Sequence, residues 1–215
     1  MPTNPAILSP EKAQISRHTK HNLCASLSRQ SEKTVATCSL PGSPAILSLR
    51  PLSLDIDIPT ITHWMGFERR TDPARNAISA IVQLEEVHAS IQQSNIAQAF
   101  MGLVNDVPVC QLDICHSRQH ELSIYYPARE GDYILNLLMA PLCVQDQMIA
   151  LLRTTLRYFF AFSEVSRIVT DVEHDNEWII QLYKKAGFQL AGRTKIPYKT
   201  AHLYTCTRDS LATAF

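Results

Sequence analysis

The spacing of apolar side chains changes character several times along this chain, and the changes mark its elements. ILSLRPLS, at 46–53, reads as a first strand, and DIDIPTITHWM behind it as a helix opening at an Asp and Pro start signal. After the loop FERRTDPAR, apolar residues at Ile78, Ile81, Val82, Leu84, Val87 and Ile91 recur at helical spacing through 76–93. The period then drops to two. IAQAFMGLV and VPVCQLDIC are strands joined at Asn105-Asp106, a hairpin-like turn. A polar connection leads to DYILNLLMA, an apolar run with polar punctuation that suits a buried central strand. In MIALLRTTLRYFF, Ile149, Leu152, Leu156 and Phe159 share one helical face. SRIVTDV is a strand, NEWIIQLYKKAG a helix closed by Gly187, and FQLAGRTKI with KTAHLYTCTR a final strand pair. This order predicts a mixed α/β domain with a strand–helix–strand–helix unit at its centre.

Composition separates residues 1–46 from the rest. They are rich in Ser, Pro, Thr, Lys and Gln, and are expected to form a flexible or loosely docked tail in which short strands can occur, with 47–215 as the folded domain. Lys plus Arg equals Asp plus Glu at 20 each, so nothing supports a broad nucleic-acid footprint. No apolar run approaches the ~18–20 residues of a membrane span, and MPTNPAILSPEKAQ lacks the basic start and apolar stretch of a signal peptide. The six cysteines are scattered with no CxxC, as in reduced, mostly buried thiols of a cytoplasmic protein. No nucleophile-elbow, P-loop or dinucleotide-binding glycine signature occurs. His116 and His120 have the spacing of a helical metal pair, but they follow a strand and no further ligands complete a set, so no metal is expected.

The stretch IVTDVEHDNEWIIQLYKKAGFQL resembles the second half of a GNAT acetyltransferase, with Asn176 at a helix start, Tyr183 seven residues on, and a Gly187-Phe188 close. Seven residues is nearly two helical turns, so Asn176 and Tyr183 share a face. More narrowly, LSLRPLSLDIDIPTITHWM, FMGLVNDVPVCQLDI, YYPAREGDY, LLMAP and PYKTAHLYTC are similar to the branch that acetylates N6-hydroxylysine or a related hydroxamate precursor in siderophore biosynthesis. The resemblance covers roughly 47–207. It implies the GNAT acyl-CoA N-acyltransferase fold, a central, mostly antiparallel sheet with flanking helices. It also implies acetyl-CoA, or another short acyl-CoA, as co-substrate and a small-molecule amine or hydroxylamine acceptor. No metal, nucleic acid or membrane partner is implied, and the expected state is a monomer or homodimer.

Residue by residue, the resemblance places the cofactor arm along Leu137, Leu138 and Met139, its phosphates near Gln147 and Met148, and its amides near Asn176. Tyr183 becomes the acid that protonates the departing thiolate, and Glu173 the acid preceding the Asn. Glu173 and Asp171 also suit a helix N-terminus electrostatically. Trp64, Asp113, His116 and Asp171 are placed around the acceptor. Two positions depart from the family pattern. Asn136 stands where a His often serves as base, and PLCVQDQMIALL replaces a glycine-rich phosphate loop without any glycine. Asn cannot take a proton, so the chain uses another base, uses a water, or relies on a hydroxylamine nitrogen that is largely unprotonated at neutral pH. Acylation of an ordinary amine or a protein lysine, and a degenerate binding module, are the alternatives.

Overall fold

The structure is a computed structural model and describes residues 14–15, 33–68, 85–91, 93–94, 96–196 and 199–214. Nine strands form one sheet in the order β1-β2-β3-β4-β5-β6-β7-β9-β8. They are β1 (Gln14–Ile15), β2 (Ala36–Ser39), β3 (Ile46–Pro51), β4 (Ala97–Val104), β5 (Val107–His116), β6 (Asp132–Met139), β7 (Arg167–Glu173), β8 (Gln189–Ile196) and β9 (Lys199–Thr207). Helices are α1 (Leu54–Glu68), α2 (85–91), α3 (Gln145–Phe160), α4 (Glu177–Ala186) and α5 (Arg208–Ala212). Every pairing is antiparallel except β6 with β7. No helix of the described residues is long and apolar enough to cross a membrane.

Alternation along the strands builds a core on each face. Leu47, Leu49, Phe100, Leu112, Ile114, Leu135 and Ile168 pack against Leu152, Leu156 and Phe159 of α3 and Ile180 and Tyr183 of α4. On the other face Ala99, Met101 and Leu103 meet Ile61 and Trp64 of α1. The body of the fold begins earlier than Leu47. β2 lies in the region expected to be tail, pairs with β3, and buries Val35, Ala36 and Cys38 in the main core. A four-residue strand followed by a Pro-Gly turn was too short for composition to separate from a linker.

The expected hairpin turn has φ of 47° at Asn105 and 63° at Asp106, the left-handed pair that matches strand twist. In α1 the helix starts at Leu54, so Pro59 lies inside it rather than at its opening. Asp57 sets that start. Its carboxylate accepts from the Ser53 amide at 2.8 Å and is gripped by both terminal nitrogens of Arg50 at 2.7 Å. In α2, Val87 is exposed whereas Ile91 packs toward the α1 core. The remaining apolar positions of that expected helix lie outside the described residues.

Candidate active site

The parallel pair β6–β7 is a fork. Asp132, Tyr133 and Ile134 face Arg167, Ile168 and Val169, and there the pairing stops. β6 runs on to Met139 still paired with β5, and β7 runs on to Glu173 paired with β9. A β-bulge holds β6 to its outer neighbour. The β4–β5 register shifts between Gly102 and Leu103, leaving Val109 as the extra residue, and its carbonyl accepts from the Ala140 amide at 2.8 Å. A Cβ at Gly102 would come within 2.6 Å of both Cys110 Sγ and Leu151 Cδ2, so those side chains would have to shift to admit one.

The closed end is pinned. Asp132, 1% exposed, takes two bonds from the Arg167 guanidinium at 2.8 and 2.6 Å and a third from the Arg129 amide at 2.9 Å. The Gly131 carbonyl receives the amides of Ser166 and Arg167. Its φ of +79° favours glycine, and a Cβ would sit 2.5 Å from Ser166 Oγ.

Past the last pair, the two faces of the fork carry different chemistry. On the helix side the first β7 residue is Thr170, whose hydroxyl donates to the Tyr183 phenol oxygen at 3.4 Å. Tyr183 is 3% exposed, and its ring meets Phe188 edge-on at 4.8 Å. Burial is the main reason its phenol is pushed up to about 12, and the nearby Asp171 acts in the same direction. The phenol therefore keeps its proton across the working range. α4 presents it because Asn176 caps the helix, accepting from the Ile179 amide at 3.2 Å, and Gly187 ends it at φ +105°.

The opposite face follows from Ile134 and Val169, which share a cluster with Leu122 and Leu203. Alternation brings Asn136 and Asp171 next on that face, one from each prong, with Glu173 farther out on β7. Asn136 and Glu173 are exposed and Asp171 is half-buried, so Asn136 is not enclosed in the sheet as its central strand suggested. Across β5, Asp113 stands opposite Asn136 and is half-buried. Both of its oxygens accept from Gln111 Nε2, at 2.8 and 3.0 Å, and the same nitrogen lies 2.7 Å from His88 Nε2. Burial raises the Asp113 carboxyl above its usual range, the Gln111 bond opposing.

The structure separates some residues that the sequence grouped. His116 points to the face opposite Asp113, stacks edge-on against Tyr133 at 5.2 Å beside the closed end, and caps a short turn through the Arg118 amide. It is not in the acceptor region, because an odd spacing of three on a strand reverses the face. His120 caps the next turn through the Leu122 amide at 3.1 Å. The two histidines thus sit on consecutive turns, not on one helix face. Burial lowers the His120 pKa, partly offset by Glu121 and by Asp171, so its ring lies within electrostatic reach of the fork. Trp64 is a core residue, 5% exposed, whose cluster touches Leu138 and Ala140. Met148 is 1% exposed and its amide is spent on the Val144 carbonyl at 3.0 Å, so neither its side chain nor its N–H is offered to a phosphate. Gln147, one residue earlier, remains half-buried in the first turn of α3. Leu137, Leu138 and Met139 form the half-buried edge of β6. Arg153, midway along α3, is committed to the carbonyls of Lys185 and Ala214. Gln111, His88 and His120 were not singled out as site residues in the sequence, and only the period-two placement of Gln111 beside Asp113 hinted at any of them.

Residues 53–196 match the family described as the acetyltransferase (GNAT) domain. No curated protein matches the chain. Among solved structures, an uncharacterised protein from Bacillus halodurans is 23% identical with a TM-score of 0.68, covering 79% of this chain and 88% of that one. The aminoglycoside acetyltransferase AAC(6')-Ib, in complex with paromomycin and acetyl-CoA, is 20% identical with a TM-score of 0.64, covering 78% and 96%. A spermidine N-acetyltransferase chimera from Vibrio cholerae is 15% identical with a TM-score of 0.60, covering 78% and 98%. At these identities the neighbours establish the fold, while the family match spans about two thirds of the chain. A mixed sheet forked between its one parallel pair, with a buried tyrosine at the vertex, is therefore the framework of an acyltransferase, and this chain belongs to the GNAT acetyltransferase family.

Proposed function

We propose that this protein transfers an acetyl group from acetyl-CoA to the nitrogen of a small amine, with an N-hydroxylated lysine or similar hydroxylamine of siderophore biosynthesis as the acceptor. The observation that carries the reading is the fork, open beyond Ile134 and Val169 and lined by different chemistry on its two faces. The β6 edge from Leu137 to Met139 has no strand partner on the β7 side, so its backbone groups there fit an extended amide-bearing arm lying alongside as an added strand. The first turn of α3 fits an anion near Gln147, since helix N-termini offer unpaired amides and a favourable dipole. Acetyl-CoA, when bound, supplies an activated thioester.

This chain's own residues then do the rest. Backbone amides near Leu137 would steady a developing oxyanion, which together with positioning accounts for most of the rate. Tyr183, held protonated by burial, is the proton donor to the departing thiolate. Asp171 and Glu173 lie on the acceptor face to receive the proton the nitrogen gives up. Asn136, at the mouth of the fork, accepts no proton. That favours an acceptor nitrogen already neutral at pH 7. Structural neighbours named for aminoglycoside and spermidine acetylation support the broader class of small amines. The cytoplasm, where free thiols persist, is the proposed setting.

The test is thiol release from acetyl-CoA by the full chain with N6-hydroxylysine, lysine and 1,5-diaminopentane. The expected result is turnover with all amines at high pH and a clear preference for N6-hydroxylysine near neutrality. Equal rates for lysine and N6-hydroxylysine at pH 7 would sink the hydroxylamine acceptor. Acetyl-CoA that fails to bind would sink the reading as a whole.

A further inference from the structure

Among the described residues Asp57 and Asp132 are the buried carboxylates, each with a guanidinium of its own, while Asp113, Glu164 and Asp171 are half-buried. Asp57 is fully buried and gripped by Arg50. Asp132 is 1% exposed and gripped by Arg167. Asp113 differs. Its hydrogen-bond donor is the neutral Gln111 amide, and among the described residues no lysine or arginine pairs with it. Taking a carboxylate out of water without a counter-charge is costly, and proteins pair such groups or let them hold a cation.

The cluster is also rigidly set. Gln111 is 4% exposed and His88 3%, and one Gln111 nitrogen spends its hydrogens on Asp113 and on His88. That fixes the carboxylate's orientation while leaving Asp113 itself half-buried and reachable. Its cross-strand neighbour is exposed Asn136, at the mouth of the fork on the acceptor face. The gap lies on the far side of β6. A nitrogen reacting there and a cation at Asp113 are therefore separated by between one and two strand spacings, ~5–10 Å. That is the reach of the far ammonium of a lysine-like chain or a short diamine.

We propose that Asp113, positioned by Gln111 and His88, is the acceptor-specificity carboxylate and binds a second ammonium group of the acceptor, remote from the nitrogen that is acetylated. This rests on the amine-acceptor reading above and narrows it to acceptors with two cationic centres. Neighbouring acids at Asp171 and Glu173 leave the whole face suited to positive charge.

The experiment compares KM for 1,5-diaminopentane with KM for n-pentylamine, and for N6-hydroxylysine with N-pentylhydroxylamine, in the wild-type chain and in Asp113→Asn. A charged hydrogen bond of this kind is expected to lower KM by ~10- to 100-fold for the acceptor with two ammonium groups. In Asp113→Asn that ratio should collapse toward one, with KM for acetyl-CoA unmoved. A ratio that persists in the variant assigns the selectivity elsewhere and overturns the proposal. Equal KM across both pairs in the wild type overturns it without any variant, so a poorly folding Asp113→Asn does not shelter it. Transfer at equal KM leaves the acetyltransferase reading standing, whereas no transfer to any of the four amines defeats both together.

Discussion

The two ends of the β6–β7 pair differ in how their polar groups are satisfied. At the closed end each strong group has its partner within the protein: Asp132 has Arg167 and the Arg129 amide, and the Gly131 carbonyl has two amides. At the open end the strands are held by their outer neighbours, β6 by β5 and the bulge at Val109, β7 by β9. They face each other with exposed Asn136, half-buried Asp171 and the buried phenol of Tyr183. One end spends its polar chemistry on joining the strands, and the other sets an exposed amide and a buried phenol on opposite faces of the sheet.

Breaking the closed end should produce the largest effect. Asp132→Ala leaves Arg167 and an amide without their acceptor, at a cost of about 3 kcal/mol, or roughly 6–12 °C in Tm for a chain of this size. A thermal melt that shifts by less than a degree would mean the pin does not hold the fork shut. At the open end the loss should appear in rate and not in the fold. Tyr183→Phe is expected to lower kcat about 100-fold, equivalent to about 2.7 kcal/mol, while costing under ~1 kcal/mol of stability for one long hydrogen bond. With the phenol at about 12, the wild-type rate should show no alkaline break from this group below pH 10. The reverse split, a large melt shift with rate intact, would remove Tyr183 from the chemistry.

Next comes the β4–β5 bulge behind β6. Gly102→Ala drives a methyl against Cys110 and Leu151 at the bulge, and about 1–3 kcal/mol of destabilisation should follow, read by urea titration. The smallest effect belongs to Asp113. Its folded pKa is raised, so the folded state binds the proton more tightly than the unfolded one, and stability falls as pH rises between the two values. Asp113→Asn should therefore match or exceed the wild-type Tm at pH 8, by up to about 1 kcal/mol, and lose that advantage as pH drops toward 4. An Asn variant that is less stable at pH 8 and level at pH 4 would show that the carboxylate is held by a charge within the fold.

What could be read from the sequence was local. The Asn176 cap, the nearly two-turn step to Tyr183 and the Gly187 ending are fixed by neighbours along the chain, and so is the left-handed Asn105-Asp106 turn. The second element class was harder. Nothing within DYILNLLMA says that its Leu137 to Met139 edge is unpaired on the β7 side, because pairing with β7 is decided by residues 35 positions away. The Gln111 to His88 contact joins a strand to a helix 23 residues earlier, and no periodicity registers it. His116 was assigned to the acceptor side together with Asp113, although strand alternation places them on opposite faces. Composition allowed short strands before Leu47 without placing them, since the burial of β2 comes from α3 and β3 rather than from its own sequence.

Beyond Ile134 and Val169 the strands β6 and β7 are no longer paired, so the sheet is parted there and each of its surfaces borders the fork. A donor entering beside α3 and α4 and an amine arriving from the α1 side would meet there without sharing a doorway. Initial-rate plots should then intersect, as in sequential two-substrate kinetics, and free CoA should compete with acetyl-CoA but not with the amine.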